Sequence, residues 1–159
     1  MQEIDEGLMK YVSMDILEFI KKYMINEDND ISLIKPLSEK IIEEKIANFP
    51  NELKKIYRFT NGFSSLILDV LPIFDLNNPK KTWNSIDRAN SLNTPFRVSQ
   101  TELEKFCIFA KVRSSFAQAL LFEKGNFIWC YQDINDGEIK RTNMTLIELL
   151  LINLQEYNY

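Results

Sequence analysis

Histidine is absent from the chain. Its absence removes the commonest general base, the Ser-His and Cys-His nucleophile systems and the commonest metal ligand, so catalysis would have to rest on carboxylates, Lys or Tyr. Asp69, Asp75, Asp87, Asp133 and Asp136 are the candidates by position, but their spacings define neither an acid–base pair nor a two-metal site. Turn and cap roles account for Asp75 and Asp136. Ser114-Ser115 beside Arg113 has no partner base and reads as a polar hairpin loop. The glycines, at positions 7, 62, 125 and 137, cannot assemble a phosphate-cradling loop. The acidic stretch Asn26 to Asp30 lacks the glycine and distal glutamate of a calcium loop. Cys107 and Cys130 have no CxxC spacing and each sits in an apolar run, which reads as two buried thiols; a disulfide would require neighbouring strands. Asn143-Met-Thr145 matches the glycosylation triplet, which carries weight only on a secretory route. The residues predict no catalytic centre, no cofactor and no metal site.

Binding chemistry is better represented. Aromatic residues make up 12% of the chain, and Phe59, Phe106, Phe109, Phe122, Phe127 and Trp129 fall at positions that suit a core. Trp83 differs: it stands in an irregular segment among Lys80, Lys81, Asp87 and Arg88. A tryptophan with a polar collar suits a protein-binding hot spot, and plugging the open end of a small sheet suits it equally. The formal net charge is −4. Most of the excess lies before Asn61, where twelve acidic residues face nine basic ones. Clustered Lys/Arg for phosphate binding is missing, so direct nucleic-acid binding is not expected. Either ordinary solubility or a basic partner fits this balance.

The elements that must position these residues follow from periodicity. At 159 residues the chain reads as a single domain able to bury roughly 70% of its unfolded surface. Hydrophobic residues at 45% and charged ones at 26% are ordinary globular usage. The acidic start MQEIDEGLMKYV does not read as a secretory signal, and no apolar run suits a membrane span, so a cytoplasmic location is expected. Met9, Val12, Ile16, Phe19, Ile20 and Tyr23 share one face of an expected helix of about four turns. Leu37, Ile41, Ile42 and Ile46 line a second helix that Pro36 or Ser38 can open. Pro50 breaks it and starts a third, with Leu53, Ile56, Tyr57 and Thr60 on one face. Asn61-Gly62 is expected to end that helix in a left-handed cap.

Beyond Gly62, Phe63 to Phe74 reads as one strand followed by a bend or short edge strand, and Trp83, Ile86 and Ala89 mark a short helix. Phe106 to Val112, Ala117 to Phe122 and Phe127 to Gln132 are the next strands, with a hairpin turn at Glu123 to Asn126. Asp136-Gly137 turns the chain into a short strand, Glu138 to Thr142. Thr145 and Glu148 have capping-box spacing and open a closing helix to about Tyr157. Helices followed by hairpin-linked strands predict α+β with a mainly antiparallel sheet of about four to six strands, flanked by helices of the N-terminal third and one C-terminal helix.

Within this order the stretch from Pro36 to Phe63 resembles the SUKH superfamily, best known as bacterial immunity proteins and related to a fungal cell-wall-synthesis regulator domain. The matching residues are Phe49, Pro50, Leu53, Tyr57, Asn61 and Gly62. Many relatives carry leucine where Phe49 stands. A weaker likeness runs through Trp83, the strands between Phe106 and Tyr131 and the closing helix. The resemblance implies the same α+β architecture and a non-enzymatic immunity protein that binds and neutralises a cognate toxin domain, in some systems a nuclease. It also leaves open a regulatory or scaffold domain without a toxin. The family's contact residues vary, so none is carried over. The expected partner-binding residues, chosen from the polar positions above, are Asp69, Asp75, Trp83, Asp87, Arg88 and Asp133.

Overall fold

A computed structural model describes residues 3–25, 31–65, 67–73, 86–90, 99–112, 118–133 and 135–155. The first expected helix is interrupted. A 3₁₀ turn, Glu6–Tyr11, is followed by α1, Ile16–Phe19, which continues as a π-helical segment, Ile20–Ile25. The cause is Asp15: its backbone is extended, and its carboxylate accepts the N–H of Leu17 at 3.0 Å, so it starts a new helix instead of continuing one. Met9 is consequently left exposed. The rest of the expected face turns inward. Phe19 and Tyr23 stack at 5.4 Å, and Tyr11 meets Tyr23 edge-on at 4.8 Å.

Helix α2, Glu39–Ile46, opens at Ser38, whose hydroxyl accepts from the N–H of Ile41. Pro50 then starts α3, Asn51–Phe59, and Leu53, Ile56, Tyr57 and Thr60 are all buried. Asn61-Gly62 does not form the expected left-handed cap. The helix ends one residue earlier because Thr60 turns extended; its hydroxyl accepts the N–H of Ile34 at 3.0 Å and lies 2.7 and 2.6 Å from the carbonyl oxygens of Ile34 and Gly62. Gly62 has φ +88° for another reason. A Cβ there would lie 2.4 Å from the carbonyl oxygen of Val70, so only glycine lets the two backbones approach.

The strands are β1, Ser32–Leu33; β2, Phe63–Ser64; β3, Leu68–Val70; β4, Phe106–Val112; β5, Gln118–Glu123; β6, Trp129–Gln132; and β7, Ile139–Arg141. Among the described residues they form one antiparallel sheet of seven strands in sequential order. The extra strands come from two places. The expected single strand after Gly62 is a hairpin, β2 and β3, closed by Ser65, whose hydroxyl accepts the N–H of Leu68 at 2.9 Å. In addition, β1 pairs with β2 at the sheet's edge.

Helix α4, Ile86–Ala89, lies where Ile86 and Ala89 predicted one, and α5, Gln100–Lys105, follows a Ser99–Glu102 capping box. The last helix, α6, Leu146–Gln155, starts at the expected Thr145–Glu148 box. Apart from half-buried Glu148 it is buried all round, as a uniformly apolar helix must be. Gln155 clasps the chain's beginning, donating to the carbonyl of Glu3 at 2.6 Å and accepting the N–H of Asp5 at 3.0 Å.

Register separates the sheet's faces. Cys107, Phe122 and Trp129 share the face toward α3, where Phe49 lies 5.0 Å from Phe122. Leu121 and Cys130 share the other. The two buried thiols are therefore on opposite faces with β5 between their strands, about 10 Å apart at the backbone, too far for a disulfide. At β4 the ladder shifts between Ile108 and Ala110. Here β3 has run out, and the side-chain amide of Asn90 replaces the missing strand: it accepts the N–H of Ile108 at 2.8 Å and donates to its carbonyl at 2.9 Å. No helix among the described residues is long and apolar enough to cross a membrane.

Candidate functional site

A groove of about 820 Å³ opens where the helical layer meets one end of the sheet. Its walls are corners that the sequence imposes. Pro50 forces the α2–α3 corner and presents Ala47, Asn48, Phe49 and Pro50; the restart of the first helix at Asp15 presents Met14; the β5–β6 turn presents Phe127 and Ile128; and the β7–α6 corner presents Thr142 to Ile147. Trp129 sits in the wall and is buried. Behind it, rings brace one another: Trp129 meets Phe109 at 5.4 Å, and Phe49 meets Phe122 at 5.0 Å and Tyr57 at 6.3 Å. Each of these contacts is edge-on, an arrangement in which aromatic rings attract one another.

Phe127 does not join this core. Its side chain is 48% exposed, and its φ of +55° makes it the one non-glycine with positive φ among the described residues. The reason is the turn. Gly125 at φ +84° reverses the chain, and the N–H of Phe127 is drawn back to the carbonyl of Glu123 at 2.9 Å before Ile128 rejoins the ladder. That geometry swings the ring away from the sheet and onto the groove's lip. The core position expected for Phe127 is not observed, because the strand expected from Phe127 begins only at Trp129 and leaves the ring in the turn.

The groove carries few net charges. Lys55 donates to Asp15 at 2.6 Å, and this hydrogen bond holds the Asp15 carboxyl below its usual value. Glu52 and Lys54 supply one charge of each sign. The remaining polar lining is amide and hydroxyl: Asn48, Asn51, Thr142, Asn143 and Thr145. A lining that mixes apolar side chains with neutral hydrogen-bonding groups suits a largely uncharged segment with an apolar anchor. Among the described residues no cluster of three or more Cys, Asp or Glu could hold a metal ion.

The expected partner-binding residues do not meet at this groove. Asp69 is buried on β3, where Ser64 donates to its carboxylate and Lys111 lies 3.8 Å away across the β3–β4 pair. Asp133 shapes the turn after β6, its carboxylate accepting the N–H of Asn135 at 2.8 Å. Asp87 and Arg88 lie on α4. Asp75 and Trp83 fall outside the described residues, as do Asn26 to Asp30 and Arg113 to Ser115. Asp136 has the expected turn role, accepting the N–H of Glu138 at 2.8 Å. The groove went unseen because it joins residues from four distant stretches. Its one local sign was an aromatic directly after Lys-Gly-Asn, where a hairpin more often continues with a polar residue. No family model matches the chain, and neither does any curated protein or solved structure.

Proposed function

We propose that this protein is a non-enzymatic immunity protein of SUKH type, which binds and neutralises a cognate toxin domain in the cytoplasm. The observation that carries the proposal is Phe127, a half-exposed aromatic held at φ +55° on the lip of the groove. A left-handed backbone costs a non-glycine residue roughly 1–2 kcal/mol, and an exposed ring forgoes burial as well. The left-handed backbone serves the β5–β6 turn, but the half-exposed ring adds little burial to the fold. A partner that covers the ring gains an aromatic anchor, and aromatic residues are enriched at the cores of interfaces.

The residues behind the SUKH resemblance support the proposal at two places, the groove and the packing of the end of α3 against the end of β3. Phe49 and Pro50 line the groove. Tyr57 donates its hydroxyl to the carbonyl of Leu71 at 2.6 Å, Asn61 accepts the N–H of Ile73 at 2.9 Å, and Gly62 admits the backbone of Val70. The acidic excess would speed association with a basic toxin without setting its affinity. Asp75, Trp83, Asp87, Arg88 and Asp133 are the further proposed contacts, with Asp69 as a buried support for Lys111.

The test is co-expression with the toxin domain encoded beside the gene, counting survivors against a partner-free control, followed by binding measurements on variants. Wild-type protein should rescue growth. Phe127→Asn, which tolerates the left-handed backbone, should keep its melting temperature and weaken toxin binding at least about tenfold, the scale of a hot-spot loss. Absence of rescue with soluble protein and active toxin would turn attention to a scaffold role. Rescue with unchanged affinity in Phe127→Asn would remove the groove from the proposal.

A further inference from the structure

We draw no further inference here: the strongest candidate, the sheet edge at β1 where Leu33 and Ile34 are exposed side by side, is an apolar edge with nothing in the structure to show what covers it.

Discussion

Gly62 and Gly125 share nearly the same backbone, φ +88° and +84°, in very different surroundings. Alanine at each position separates conformational cost from close approach. At Gly125 nothing lies within 4 Å of the added Cβ. The cost there is conformational, roughly 1–2 kcal/mol, partly offset by a less flexible unfolded chain, so a net of about 1 kcal/mol is expected. At Gly62 the Cβ would stand 2.4 Å from the oxygen of Val70 and 2.9 Å from both the carbonyl carbon of Leu71 and the nitrogen of Pro72. All three are backbone atoms, so the end of β3 must move. Overpacking of this kind costs about 1–3 kcal/mol. The shift also strains the bonds from Tyr57 to Leu71, Leu71 to Phe109 and Ile73 to Asn61, each of which contributes about 1 kcal/mol. With the conformational cost of about 1 kcal/mol, the overpacking and the partial loss of these bonds, a total of roughly 3–5 kcal/mol follows for Gly62→Ala. For a chain of this size each kcal/mol lowers Tm by about 2–4 °C, so Gly125→Ala should lose a few degrees and Gly62→Ala roughly 10 °C or more. Thermal melts by circular dichroism, with urea titrations as a second measure, read both values. Equal losses in the two variants would refute the close-approach account of Gly62.

Three other outcomes are expected. Asn90→Ala strips the N–H and C=O of Ile108 of their partners and should cost roughly 2–4 kcal/mol in urea titrations; an unchanged midpoint would show that water replaces the amide. Glu123 is bound by Arg141 at 2.7 and 3.2 Å, which holds its carboxyl below the ordinary 4.5. A carboxyl lowered on folding adds stability that is full above 4.5 and fades as pH falls through the folded value. The stability gap between wild type and Arg141→Gln should therefore be present at neutral pH and close in acid, and a gap constant with pH would count against the pair. Finally, burial pushes the Cys130 thiol up to about 11 and Cys107 is also buried, so both should resist a thiol reagent at pH 8 until the protein is denatured. Rapid labelling of either in the native state would contradict their placement.

Strands β4 to β6 were legible because each holds a short apolar run, and β7 because Asp136-Gly137 turns the chain into it; Phe106–Val112 matches its expected limits at both ends. The Thr145–Glu148 box and the Pro50 break were legible for the same reason: each acts within one helical turn of itself. The split of the first helix was readable only by weighing Asp15 as a cap against an unbroken apolar face, and the face is the louder pattern. Helix α5 was not legible despite its Ser99–Glu102 box, since Leu103 is the one apolar residue within Gln100–Lys105 to mark a buried side.

The amino-acid sequence by itself determined the α+β class, the antiparallel meander of the second half and the absence of histidine chemistry, whereas the separation of the two thiols needed the strand order. Periodicity, turn residues and composition act over a few residues and do not depend on distant partners. Tertiary structure alone decided the rest: that β1 pairs with β2, that Gly62 serves a backbone contact with Val70, that Asp69 is buried against Ser64 and Lys111, and that Phe127 faces out over a groove. Each of these depends on segments far apart in the chain, where packing and register settle what local preference leaves open.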